Sequence, residues 1–308
     1  MANAAEIDTM ELEIPIFIDP LKLPEPFSSK VKIEFGARTD VGKVRKNNED
    51  AYLICRLGRY WEKLESSLPP ADLPDRSDEM GYAMVVADGM GGMAAGEVAS
   101  SMAIRVLVSL VLNAAKWAMK LDNPETRNQE IEQAMKRAET YFEKVDKMLL
   151  QHAESFPRLK GMGTTLTGVY SLGADLFVIH VGDSRAYRFR KNELKLMTRD
   201  QTMAQLLKDA GQVLSESTSR RLSHTLTSCL GGSESQIQLE IHHHQVLDGD
   251  RLLLCSDGLT EMINDSDIIN VLTKVQDSKK ACDSLVDLAL ERGGVDNVTA
   301  VLARYSLP

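Results

Sequence analysis

Short apolar runs that end on an acidic residue, often followed by glycine, recur along this 308-residue chain and constrain its fold more than any other feature. In order they reach Asn48-Glu49-Asp50, Ala87-Asp88-Gly89, Gly182-Asp183-Ser184, Ser256-Asp257-Gly258 and Val295-Asp296-Asn297. Runs beside them, such as Tyr82–Val86 and Leu252–Cys255, read as buried strands. Carboxylates at strand ends point into a shared cleft, and the glycines let backbone come close to a ligand there. Like charges so gathered repel and raise one another's pKa unless a cation neutralises them. A cluster of hard divalent cations held by oxygen ligands is the simplest resolution.

The chain is long enough for one large domain or two smaller ones, and 43% hydrophobic and 26% charged residues suit a globular core. A net charge of -9 without a local basic run argues against nucleic-acid binding. Cys55, Cys229, Cys255 and Cys282 show no spacing that indicates zinc or a disulfide framework, and Cys55 and Cys255, inside apolar runs, read as reduced, buried packing residues. No basic region followed by an apolar stretch opens the sequence, so no signal peptide is expected. The most apolar helical stretch, around Ala103 to Met119, is interrupted by Arg105, Asn113 and Lys116 and makes a poor membrane span. The expectation is a cytoplasmic protein with no membrane partner, acting as a monomer.

Residues 1–30 are acidic and then proline-rich, and read as an extended or partly disordered arm. One domain is expected over 31–308. It carries a surface insertion or long hairpin loop near 58–80 and a flap-like region near 200–232 with one short helix at Met203–Ala210. Strands are expected at 31–37, 51–57, 82–87, 164–171, 176–181, 186–190, 237–246, 251–255 and 298–305. Two long helices are expected over 96–121 and 125–155, and two more over 265–275 and 279–292. This order of strands, paired helices, strands, paired helices and a last strand is α+β, with stacked antiparallel sheets flanked by helices.

The ordered segments around Arg45-Lys-Asn-Asn48-Glu49-Asp50, Asp88-Gly89-Met-Gly-Gly92, Gly163-Thr164-Thr165, Gly182-Asp183-Ser184-Arg185, Ser256-Asp257-Gly258 and Asp296-Asn297-Val-Thr299 carry a family likeness. From Val31 to Tyr305 the chain resembles the metal-dependent protein phosphatases, more narrowly a bacterial-type serine/threonine phosphatase of the type 2C superfamily. The resemblance implies a central β-sandwich of two antiparallel sheets with helix pairs on both outer faces. It also implies two Mn²⁺ or Mg²⁺ ions, with a weaker third. Asp88 would bridge the pair, the Gly89 carbonyl and Glu49 would complete one ion's protein ligands, and Asp257 and Asp296 would hold the other. Asp183 would join Asp257 at the third ion, and Asp50 would orient a water. Phosphorylated proteins would be the substrates, hydrolysed without a covalent phosphoenzyme.

The chemistry explains the residue types. Two cations about 3.5–4 Å apart lower the pKa of a shared water enough to make a nucleophile at neutral pH. Arg45 is the guanidinium chosen for the phosphate, because its planar fork can pair with two oxygens. Two positions depart from the family pattern. Met93 stands where bacterial relatives commonly carry His, and Asp200-Gln201-Thr202 stands where Asp-His-Ser is frequent. Loss of a proton-transferring His costs about 10²–10⁴ in rate, so a weakly active or inactive regulatory pseudophosphatase is the alternative. Gly163, Thr164 and Thr165 read as structural. His242-His243-His244 does not read as a metal cluster, because strand neighbours face opposite sides.

Overall fold

The structure is a computed structural model and describes residues 27–69, 73–91, 94–114, 121, 124–232 and 237–308. Of the expected N-terminal arm, 1–26 lies outside the described residues. Its last four residues belong to the fold instead. Phe27–Lys30 forms one helical turn (α1), and the Met80 N–H donates to the buried Ser28 hydroxyl at 3.4 Å.

Two antiparallel sheets stack face to face. The first holds five strands in the order β1 (Lys32–Asp40), β12 (Val298–Ser306), β11 (Arg251–Cys255), β7 (Arg185–Arg190) and β8 (Glu193–Leu196). The second runs β10 (Glu240–Gln245), β6 (Asp175–Val181), β5 (Leu166–Leu172), β3 (Arg76–Met90), β4 (Gly163–Thr164) and β9 (Leu230–Gly231), with β2 (Asp50–Glu62) paired to β3. Alternation along each strand divides the apolar residues between two faces. Met84, Val86, Val169 and Val178 meet Leu252, Leu254, Val301 and Ala303 between the sheets.

The opposite faces are covered by helices. Ala99, Ala103 and Val106 of α2 (Ala94–Leu112) and Phe142, Val145 and Leu149 of α3 (Arg127–Ser155) pack on Val85, Leu166 and Val181. On the other side, Ile268 and Leu272 of α7 (Asp265–Lys274) and Ala281, Leu285 and Ala289 of α8 (Ser278–Glu291) cover Leu253, Cys255 and Leu302. Between them in sequence lie α4 (Met203–Asp209), α5 (Glu216–Ser223) and α6 (Asp257–Thr260). The result is the expected helix–sheet–sheet–helix stack. The α2 segment Ala95–Leu112 is long and apolar enough to cross a membrane by length and composition, and here its small residues face the second sheet.

Three elements differ from the sequence-based expectation. The two ends of the insertion near 58–80 extend β2 and β3 as a paired ribbon, in which Arg59 pairs with Glu79 and the Arg76 guanidinium lies 5.1 Å from the Tyr60 ring centroid. The flap-like region holds a second helix, α5, and the short strand β9. The expected strand from Thr164 breaks at Thr165, where the chain turns aside to bind the main chain of Asp88.

Candidate metal centre

One end of the sandwich collects every acidic segment singled out above. Asp88 lies at the end of β3 and Asp50 opens β2, directly opposite it in the register. Asp257 follows β11, and Asp296 precedes β12. The remaining residues lie on two of the connections that cross between the sheets. Arg45 and Glu49 lie on the β1–β2 connection, and Asp183 on the β6–β7 connection. Antiparallel pairing brings these ends together although Glu49 and Asp296 are far apart in sequence.

Local bonds hold each ligand candidate. The Asp88 N–H donates to the Thr165 hydroxyl at 3.0 Å, and the Asp88 carbonyl accepts from the Thr165 N–H at 2.9 Å and the Thr164 hydroxyl at 2.8 Å. Thr164 and Thr165 therefore clamp the central acid, a role their sequence pattern did not specify. Asn297 organises the neighbouring crossover. Its amide oxygen accepts from the Glu49 N–H at 2.8 Å, while its nitrogen donates to the Val41 and Asn47 carbonyls, each at 2.9 Å. The Gly89 N–H donates to the Glu49 carbonyl at 3.2 Å.

The glycines permit close approach. A Cβ on Gly96 would lie 2.4 Å from Glu49 Oε2, and one on Gly258 would lie 2.1 Å from the Asn297 carbonyl. The Gly96 Cβ would also lie 2.8 Å from the Gly89 carbonyl, so both positions meet main chain that cannot give way, and α2 and α6 come this close to the acids because these positions are bare. At the flap base, Gln201 is buried. Its side-chain oxygen accepts from the Gly182 N–H at 2.9 Å and its nitrogen donates to the Gln238 carbonyl at 2.6 Å. The position that departs from the family pattern thus fixes the loop bearing Asp183. Gly92 and Met93 lie outside the described residues.

The electrostatics are those of a cation site. Burial raises Asp88 well above the ordinary aspartate range, and the charges of Asp50, Asp257, Asp183 and Asp296 add to it. Burial likewise pushes Asp183 well up, helped by Asp257 and Asp200. Asp257 and Glu49 are raised mainly by burial, with Asp296 contributing to both. Asp50 is pushed up to about 7 by burial, although hydrogen bonds from Thr299 and Ser256 favour its charged form. Against these acids stands Arg45, whose Nη2 lies 2.6 Å from Asp296 Oδ2.

The donor set fits Mn²⁺ or Mg²⁺. It consists of carboxylate and carbonyl oxygens, without the nitrogen or sulfur that zinc usually recruits. Asp50 supplies a second sign. Its Oδ2 accepts from Ser256 and Thr299 at 2.7 and 2.6 Å, yet its Oδ1 is buried with no protein donor. A buried acceptor so placed calls for a donor from the cleft itself. The three-histidine run divides as strand alternation requires. His243 meets Asp175 at 2.8 Å, while His242 and His244 share the other face of the edge strand β10.

Comparison with known proteins agrees with this architecture. Residues 72–291 match the family model described as Protein phosphatase 2C. The serine/threonine protein phosphatase PstP of Mycobacterium tuberculosis is 33% identical over 273 residues, which are 88% of this chain and 45% of PstP. The chain thus spans about half the length of that relative. The serine/threonine phosphatase stp of Listeria welshimeri is 29% identical over 270 residues, covering 88% of this chain and 95% of stp. Among solved structures, the S. agalactiae serine/threonine phosphatase superposes with a TM-score of 0.71 at 28% identity, over 90% of this chain and all (100%) of that one. The PstP catalytic domain in complex with two manganese ions gives a TM-score of 0.67 at 30% identity, over 90% of this chain and 99% of the other. The chain belongs to the protein phosphatase 2C family.

Proposed function

We propose that this protein hydrolyses phosphoserine and phosphothreonine in protein substrates, using a pair of Mn²⁺ or Mg²⁺ ions. The observation that carries the reading is the convergence of Glu49, Asp88, Asp257 and Asp296 from both sheets on one cleft, with Arg45 at its mouth. In this reading Asp88, the Gly89 carbonyl, Glu49, Asp257 and Asp296 hold the pair, and Asp183 with Asp257 holds a weaker third ion. The ions, when bound, would ready a water for attack on phosphorus and offset charge on the phosphoryl oxygens.

The chain's own residues do the rest. Arg45, 55% exposed on its side chain, can swing from Asp296 to pair with two phosphate oxygens. Asp50 Oδ1, lacking a protein donor, is the acceptor that would aim the attacking water. Ser256 and Thr299 keep that carboxylate from turning away. Thr164, Thr165 and Asn297 fix the backbones of Asp88 and Glu49, so the ligands need little rearrangement. Water attacks phosphorus as the bond to the seryl or threonyl oxygen breaks, a proton from water ends on that oxygen, and phosphate leaves without any side chain carrying the phosphoryl group.

A relative of comparable length is named a serine/threonine phosphatase, which supports this reading. The non-catalytic regulatory reading finds no support. Turnover of a phosphothreonine peptide with and without Mn²⁺ tests the proposal. Activity should require the metal and vanish in Asp257→Asn. Undiminished turnover in that variant would reject the assigned site.

A further inference from the structure

A second set of ligand atoms meets at the rim of the cleft, and it includes residues outside the ordered acidic motifs. The flap helix α5 ends on His224, whose Nδ1 lies 3.0 Å from Oε1 of Glu261, the residue that follows α6. Asp257, at the start of α6, completes the group. One ligand atom from each of His224, Asp257 and Glu261 lies within 4.8 Å of the other two.

The backbone on both sides is anchored. Next to His224, the Thr225 carbonyl accepts from the Met203 N–H at 2.8 Å, and the Thr227 N–H donates to the Gln201 carbonyl at 2.8 Å. The Glu261 N–H donates to the Asp257 carbonyl at 2.8 Å. Two fixed segments therefore present the three side chains to one point. A His–Glu ion pair explains the 3.0 Å contact alone, but it leaves Asp257 beside Glu261 as a like-charged neighbour. A cation shared by all three removes that repulsion.

The chemistry of this point differs from the carboxylate cleft. An imidazole nitrogen with two carboxylates suits a borderline ion such as Zn²⁺, whereas the oxygen-only set suits Mn²⁺ and Mg²⁺. We propose that His224, Glu261 and Asp257 form a Zn²⁺ site that joins the flap to α6. Because Asp257 is shared with the hard-cation pair, Zn²⁺ there would draw that carboxylate away and inhibit the protein.

Histidine-ring NMR of the full chain, saturated with Mg²⁺ and titrated with Zn²⁺, tests the site without needing turnover. The His224 ring signal should shift at lower Zn²⁺ than those of His242 and His244, whose ring centroids stand 6.1 Å apart on β10. In Zn²⁺ binding curves measured by titration calorimetry, His224→Gln and Glu261→Gln should each raise the half-saturating Zn²⁺ by at least about ten-fold, the lower end of what loss of even an indirect partner costs. The two variants should also relieve Zn²⁺ inhibition of the Mn²⁺-loaded protein by a similar factor. A His224 signal that stays still while other histidines shift would overturn the site. So would Zn²⁺ binding curves identical in wild type and both variants. Neither outcome depends on whether the protein is a phosphatase.

Discussion

Asp50 and Asp88 stand directly opposite each other in the antiparallel pairing of β2 with β3. Two acids in register on neighbouring strands repel and weaken the sheet. Here the cost is compounded, because Asp50 is buried, Asp88 is half-buried, and Asp257, Asp183 and Asp296 approach the same place. Ser256 and Thr299, from the other sheet, hold Asp50 in position regardless. A fold that fastens like charges together with this many bonds is organised around an ion-binding task, at the expense of its own stability.

The guanidinium of Arg45, paired with Asp296 and half-exposed, is a cationic fork at the cleft mouth. Arg45→Ala should raise KM for phosphopeptides by about 10–100-fold, the worth of a charged hydrogen bond. Mn²⁺ binding, measured by titration calorimetry, should change far less. Equal losses in both would mean that Arg45 acts only through Asp296.

Gly96 has no room for a methyl group beside Glu49. Gly96→Ala should therefore cost about 1–3 kcal/mol through overpacking. Displacement of the Glu49 carboxylate should raise the Mn²⁺ concentration for half-maximal activity. Thermal melts and Mn²⁺ titrations check the two effects separately, and a variant with wild-type values in both would contradict the geometry.

Protons and metal compete for the same acids. Burial and mutual repulsion raise Asp50 from the ordinary 3.8 to about 7, and lift Asp88 and Asp183 well up as well. A raised carboxyl pKa means the folded chain binds more protons than the unfolded one. Stability of the chelator-treated protein should then fall as pH rises from the ordinary aspartate value towards 7. Mn²⁺ reverses the penalty, so its gain in Tm should be larger at about pH 8 than at about pH 5.5. An equal gain at both would show that these acids do not bind the ion.

Gln201 has two buried partners, the Gly182 N–H and the Gln238 carbonyl. Gln201→Leu leaves both unpaired and should destabilise the fold by about 1–3 kcal/mol. Chemical denaturation measures this directly. A melt unchanged from wild type would place the Gln201 amide outside the structure's supporting bonds.

Much of this was legible from residue order. The buried strands announce themselves as apolar runs, and the acids at their ends fall where the chain must turn. The omissions have physical causes. α5 buries none of its side chains, so Glu216–Ser223 shows no apolar stripe to mark it as a helix. α6 is four residues long, shorter than any useful periodicity. The β2–β3 ribbon is held by Arg59–Glu79 and Arg76–Tyr60 contacts, and its charged residues read as loop. Gln201, Thr165 and Asn297 act through long-range hydrogen bonds, which spacing along the chain does not encode. His224 and Glu261 are 37 positions apart and meet only because the flap folds back.

Anomalous diffraction from crystals grown with Mn²⁺ tests the central claim most directly. Two manganese peaks are expected between Glu49, Asp88, Asp257 and Asp296, with the Gly89 carbonyl on one of them. A map with no manganese at Asp88, from protein that binds the ion elsewhere, would contradict the account.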